Sequence, residues 1–289
     1  MISRLRFISL LGLIFLTMLS ARSSERTEPG ITLHLISDHT AISPGASFWV
    51  ALQIDLEPGW HSYWKHPGIV GLPFGVEWHL PPGFEAGPLL WAPPQKVKMG
   101  PYTAYGYRQQ ALLLTQMSAP RSLSPGSAAP LLASLTWMAC SNTEGCYPSN
   151  GERTLLMPVH KEKTRSAHAS DVEKAQARLP QPLPLSKWDS HVDRGNEEEI
   201  ILRLQPRSSD GFPSATADYY FFSDDAQVHS DRPQSWKIGE DGSLTLRLIT
   251  TEFAPHDPKA LSGLLYHSQG WPCLDGNPFA QVSAPWPRP

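Results

Sequence analysis

The sequence predicts an all-β protein, with two β domains joined by a linker that carries one short helix. Three observations carry that prediction. The chain of 289 residues has 29 Pro and 21 Gly, which interrupt it too often for long helices. Its apolar residues alternate with polar ones over short runs, the period of a half-buried strand. Only residues 171–179 (DVEKAQARL) have helical character. The length exceeds the roughly 100 residues that a single β-sandwich needs, so two domains are the natural count.

Arg4 and Arg6 precede an apolar run at residues 7–19, and small residues follow to Ala21. This is the three-part layout of a secretory signal, so residues 1–21 are expected to be a signal peptide. The run is shorter than the roughly 18 residues of a membrane-spanning helix, and no later segment approaches that length. No membrane span is expected in the mature chain. A formal net charge of −3 with no basic stripe argues against a nucleic-acid partner.

Residues 31–36 (ITLHLI) and 47–56 (SFWVALQIDL) alternate cleanly, and Pro44-Gly45 and Pro58-Gly59 mark turns around the second run. Residues 60–64, 75–80, 110–116 and 130–140 continue as strands between Pro and Gly groups such as Pro81-Pro82-Gly83. Residues 153–159 close a domain over 30–160. Six or seven short strands fit an immunoglobulin-like β-sandwich. Residues 161–195 turn charged and Pro-rich and read as a linker, its helix capped by Ser170 and stopped by Pro180. Beyond it, residues 199–204, 216–222, 243–249 and 260–267 read as strands of a second, smaller, sandwich-like β domain over 196–289.

The chain has three cysteines, and in an oxidising compartment two should pair. Cys140 ends an apolar strand, and five residues separate it from Cys146-Tyr147-Pro148. For so short a loop the chain-entropy model gives about 2.4 kcal/mol, against about 4.7 for a 100-residue loop. That is a weak place for a structural staple and tilts the reading toward redox use. On these residues alone a redox pair, a staple and a metal site all remain open.

The segment 140–148 (CSNTEGCYP) resembles the C-x5-C-Y-P active-site segment of the N-terminal periplasmic domain of the DsbD thiol:disulfide interchange family. Residues 59–64 (GWHSYW), 80–84 (LPPGF) and 105–108 (YGYR) agree with that family in order, over roughly residues 30–160. With a second β domain, the chain is similar to the variant found in suppressor-of-copper-sensitivity proteins. The resemblance implies an immunoglobulin-like domain in the periplasm that works without a cofactor or metal. It implies that electrons arrive from a thioredoxin-like domain or membrane electron carrier on a separate chain and leave to oxidised periplasmic proteins. Cytochrome c biogenesis and copper tolerance are the settings it suggests. By the family pattern Cys146 forms the mixed disulfide and Cys140 resolves it. The resemblance also implies a cap loop over the cysteines, placed at residues 96–105, with Gly100, Pro101, Tyr102 and Tyr105 as its candidates. Trp60, Tyr63, Tyr107 and Tyr147 are expected as supporting aromatics. The chain contains neither the membrane carrier nor the C-x-x-C domain of the full reductase. A non-catalytic secreted sandwich with a structural disulfide, serving as binding protein or adaptor, is the alternative.

Other residues receive plainer readings. Trp60, Trp64, Trp91 and Trp137 are expected in the sandwich core. His61 and His66 lie near the thiols, but no Cys/His quartet with zinc spacing exists, and copper(I) on the thiols is a minor reading. Cys273 is expected to be an inert thiol. No Ser/His/Asp order, phosphate loop or carboxylate pair points to hydrolysis or nucleotide chemistry.

Overall fold

The computed structural model describes residues 28–208 and 213–287. The expected signal peptide, residues 1–21, lies outside the described residues. The fold is all-β, with a single α-helix among the described residues.

The strands of the first sandwich and its attached segment are β1 (Ile31–Ser37), β2 (His39–Ala41), β3 (Ser47–Leu56), β4 (Trp60–Gly68), β5 (Gly75–His79), β6 (Glu85–Ala86), β7 (Gln95–Met99), β8 (Tyr102–Tyr107), β9 (Gln110–Ser118), β10 (Ala128–Ser141), β11 (Gly145–Pro158) and β12 (Thr164–Arg165). One sheet runs β1-β3-β9-β6 and the other β11-β10-β4-β8-β7, with β5 also paired to β10. Alternation decides which residues meet between the sheets. Leu52, Ile54 and Leu113 from one sheet pack with Trp60, Trp64, Leu135 and Trp137 from the other, and Trp91 lies partly buried against them. Trp60, Trp64 and Trp137 are therefore where burial of large rings predicts them, whereas Trp91 is only partly covered.

Helix α1 (Ala169–Ala177) starts earlier than its sequence suggests. Ser170 lies inside it rather than capping it, and His168 is the N-cap without a side-chain cap bond. The start is set upstream, where the Ser166 hydroxyl accepts from His168 N at 3.0 Å. Val172 then buries with Ile36, Ala51 and Leu114, which docks the helix on the outside of the β1-β3-β9 sheet.

The second unit comprises β13 (Gln181–Pro182), β14 (Trp188–Arg194), β15 (Glu199–Pro206), β16 (Tyr219–Ser223), β17 (Ser235–Ile238), β18 (Leu244–Ile249), β19 (Ala260–His267) and β20 (Phe279–Pro285). Its sheets run β13-β20-β19-β16 and β14-β15-β18-β17 around a core that includes Trp188, Phe221, Leu246 and Trp271. Strand β14 lies in the interval that reads as linker. Its pairing with β15 from Trp188↔Pro206 to Arg194↔Ile200 makes it part of this sandwich. Cys273 is a free thiol, partly buried against the same core.

The two sandwiches share buried surface. Phe222 and Leu264 of the second belong to the core cluster of the first, and the Phe222 ring meets Tyr105 edge-on at 4.9 Å. Lys65 pairs with Asp224 at 2.6 Å, and Asn277 Nδ2 donates to Leu179 O at 2.9 Å. Phe222→Ala should lower the unfolding free energy by about 3 kcal/mol, the scale of a deleted core aromatic. Chemical denaturation of the full chain checks this.

Candidate functional site

Strands β10 and β11 pair from Ala128↔Pro158 to Ser141↔Gly145, which sets Cys140 directly opposite Cys146. Gly145, at φ +95°, supplies the left-handed turn that closes this hairpin. The two Cα atoms are 4.1 Å apart and the sulfurs are bonded. On the far side of β10, His61 of β4 lies opposite Cys140. Cys146, Cys140 and His61 thus form a row across three strands, on one face of the sheet, because residues opposite each other share a face.

The other face of the same strands meets the sandwich core. On β10, Leu135, Trp137 and Ala139 pack inward, while Met138 and Cys140 belong to a separate cluster with Tyr63, Val97 and Ala104. Val70, Met99 and Cys146 are partly buried against this second cluster. The two cysteines differ in exposure. Cys140 is 1% exposed, whereas Cys146 retains intermediate exposure.

Tyr63 is fully buried, and its hydroxyl donates to Cys140 Sγ at 3.0 Å. Burial pushes its pKa up to about 12, so the phenol keeps its proton and acts as a donor. His61 Nε2 lies 3.3 Å from the Tyr63 hydroxyl. The Tyr63 proton is engaged with sulfur, so the consistent arrangement has the Nε2–H of neutral His61 donating to the phenol oxygen. Burial, reinforced by the Arg108 guanidinium, brings the His61 pKa down to about 4. The row is a chain of donors aimed at the buried sulfur. Ser62, between them, points the other way and donates to Met138 O at 2.8 Å, fastening β4 to β10.

The segment expected as a cap loop is a β-hairpin. Strands β7 and β8 pair from Gln95↔Gly106 to Met99↔Tyr102, with Gly100 and Pro101 at its turn. Gly100 N donates to Asn142 Oδ1 at 3.1 Å, which ties the tip to the loop between the cysteines. The two candidate tyrosines part company because they sit an odd number of residues apart on one strand. Tyr102 is half exposed and shares a face with Met99. Tyr105 turns to the opposite face, where its hydroxyl accepts from Tyr220 at 3.3 Å. Tyr105 therefore does not cover the sulfurs; Val97, Ala104 and Met99 are the hairpin residues packed with them. The sequence signal for the first of these strands is the alternation of Lys96, Val97, Lys98 and Met99.

The supporting aromatics divide by face as well. Tyr63 alone meets the cysteines. Trp60 and Tyr147 lie on the reverse side of the cysteine hairpin, their rings 5.7 Å apart, with Tyr147 donating to Glu144 O at 3.1 Å. Tyr107 is buried in the core and donates to Ala92 O at 2.9 Å. Among the described residues no group of three or more His, Cys, Asp or Glu side chains converges in a way that could hold a metal ion, and His61 faces Tyr63 instead.

This fold and site define a class: an immunoglobulin-like β-sandwich with a cross-strand cysteine pair at one end, followed by a second β-sandwich. Residues 34–158, which make up the first sandwich, match the family model described as "Thiol:disulfide interchange protein DsbD, N-terminal". The N-terminal periplasmic domain of ScsB from Proteus mirabilis is similar in fold over both sandwiches, with 17% identity, TM-score 0.63, 91% of this chain covered and 95% of that one. The Neisseria meningitidis DsbD N-terminal domain in the reduced form aligns at 14% identity and TM-score 0.24, over 43% of this chain and 82% of that one. No curated protein matches the chain.

Two outcomes follow from the donor row. In the reduced protein, Tyr63→Phe should raise the Cys140 thiol pKa by about one unit relative to wild type, the scale of one lost hydrogen bond; thiolate ultraviolet absorbance against pH measures it. The second concerns pH. His61 takes up a proton in the unfolded chain near the ordinary histidine value of 6.5 but only near pH 4 when folded. The stability that His61 contributes is therefore fully present above pH 6.5 and is lost as pH drops toward 4. His61→Gln should flatten that slope, as read by denaturation midpoints across the window.

Proposed function

We propose that the chain is a periplasmic thiol:disulfide exchange module. It takes electrons from a thioredoxin-like domain or membrane carrier on a separate chain and passes them, through Cys140 and Cys146, to oxidised envelope proteins. The observation that carries this reading is the asymmetry of the bonded pair, with Cys146 partly exposed and Cys140 buried against a hydrogen-bond donor.

The chemistry follows from that asymmetry. A donor thiolate attacks the accessible Cys146 Sγ along the S–S axis. A mixed disulfide forms, the Cys140–Cys146 bond breaks, and Cys140 leaves with the electron pair as a thiolate. The Tyr63 hydroxyl is already aimed at that sulfur and stabilises the charge. The donor's second thiolate then attacks its own sulfur in the mixed disulfide and releases Cys146. The donor is now oxidised and this pair is a dithiol. Reduction of an oxidised acceptor is the same sequence in reverse, with Cys146 attacking and Cys140 resolving. Sulfur chemistry alone completes the cycle, so no cofactor enters.

The family match over residues 34–158 supports thiol:disulfide exchange as the activity, and the apolar run at residues 7–19 supports export. The alternative, a structural disulfide in a binding protein, makes no use of the Tyr63 donor. With Cys140→Ala, Cys146 should trap a mixed disulfide with a thioredoxin-like protein from envelope extract, while Cys146→Ala should trap none. Diagonal gels with mass spectrometry read the result, and failure of Cys140→Ala to trap any partner would sink the proposal. A reduction potential below about −300 mV, as for inert structural disulfides, would favour the alternative.

A further inference from the structure

The hairpin β7–β8 packs over the cysteines with Val97, Met99 and Ala104, yet its tie to the rest of its own sheet is incomplete. Strand β4 pairs with β8 at Tyr63↔Gly106 and next at Gly68↔Ala104. Five residues of β4 thus run against two of β8, and the regular ladder breaks where the hairpin leaves the sandwich. Strand β7 is the sheet edge, so among the described residues no strand pairs the hairpin from its other side.

The second sandwich fills the break. Ser230, 2% exposed, sends its hydroxyl between the two strands. That oxygen donates to Thr103 O at 2.7 Å and accepts from Ile69 N at 3.1 Å. Gly68 makes the approach feasible, since a Cβ there would lie 2.3 Å from Ser230 Oγ. Next to it, Asp231 Oδ1 accepts from Thr103 N at 2.8 Å and faces Lys98 Nζ at 3.5 Å. Both backbone groups of Thr103 are therefore satisfied by side chains more than a hundred residues away in sequence, in the positions a neighbouring strand would otherwise take.

We propose that Ser230 and Asp231 are positioning residues of the cysteine site, acting through Thr103 to hold the β7–β8 hairpin closed over Cys140–Cys146 and so set how readily a thiol reaches the disulfide. This rests on the exchange function proposed above only for its biological use. The physical claim concerns access to the bond. The second sandwich becomes a part of the site rather than a spacer, because it holds the hairpin that covers the sulfurs.

The test uses the full chain with its disulfide intact. Dithiothreitol, which supplies the two electrons and leaves as its own cyclic disulfide, is added, and free thiols are counted by quenched alkylation. Amide hydrogen exchange over residues 96–104 is followed in parallel. Asp231→Ala and Ser230→Ala should each speed reduction roughly tenfold, the scale of one lost hydrogen bond to a charged or buried group, and should raise exchange in the hairpin while leaving the β10–β11 ladder protected. Asp231→Asn, which keeps an acceptor for Thr103 N, should stay within about twofold of wild type and guards against a merely unfolded variant. Reduction rates unchanged in both alanine variants overturn the proposal, as does faster hairpin exchange without faster reduction. Failure of Cys140→Ala to trap a partner, with the dithiothreitol result intact, removes the exchange function and leaves the clamp standing.

Discussion

The register of three neighbouring strands is the constraint on which the site depends. In β11, β10 and β4 the residues Cys146, Cys140 and His61 stand opposite one another, and a slip of one position would turn every one of these side chains to the other face. What fixes the register is not the site itself. Leu135, Trp137 and Ala139 of β10 must be buried between the sheets, and because side chains alternate, their burial aims Met138 and Cys140 outward. The hydrophobic effect that assembles the sandwich thus also orients the sulfurs.

The same hairpin explains why a bond that can be broken suits this place. Pairing of β10 with β11 continues from the cysteines to Ala128↔Pro158, so the two thiols remain neighbours whether or not they are joined. The covalent link closes a loop of only a few residues and contributes about 2.4 kcal/mol in the chain-entropy account. Reduction then costs the fold little. A staple across distant segments would behave in the opposite way, since its loss would release a long loop. Position in the sheet, more than the cysteines alone, separates the two uses.

Much of this was legible in the sequence, and the failures have physical causes. Residues 31–36, 47–56 and 260–267 read as strands because apolar side chains recur at every second position, although Ile36 and Ala51 on the outer face are covered by helix α1 and Leu264 by the other sandwich. Strand β20 (FAQVSAP) also alternates in burial but has Ala at two of its three buried positions, so its pattern was too faint to read. Edge strands β14 (WDSHVDR) and β17 (SWKI) carry a weak signal for a related reason: much of an edge strand's environment is solvent. The cysteine pair is legible from spacing and family resemblance, and Tyr63 as a supporting ring, whereas its role as donor to Cys140 depends on the fold. The β7–β8 hairpin reads as a loop from sequence because Gly100-Pro101 is a strong turn signal and residues 102–107 (YTAYGY) do not alternate. The faces of Tyr102 and Tyr105 could follow only from recognising those strands. Ser230 and Asp231 carried no signal at all, since their meaning lies in a contact with Thr103 from another domain.

That contact changes how the second sandwich is understood. Strand β8 presents two faces with different neighbours. Ala104 faces the cysteines, whereas Tyr105 faces the second sandwich, where Tyr220 donates to its hydroxyl and Phe222 packs on its ring. Burial there drives the Tyr105 pKa well above its ordinary value, so the phenol stays neutral in a largely apolar contact. Removing the second sandwich would therefore expose a large aromatic surface and, at the same strand, open the broken ladder beside Thr103. An interface that buries Tyr105 cannot loosen without disturbing the strand that carries Ala104 against the sulfurs. Coupling between the two sandwiches needs no long pathway here, because a single strand lies between the interface on one side and the disulfide on the other.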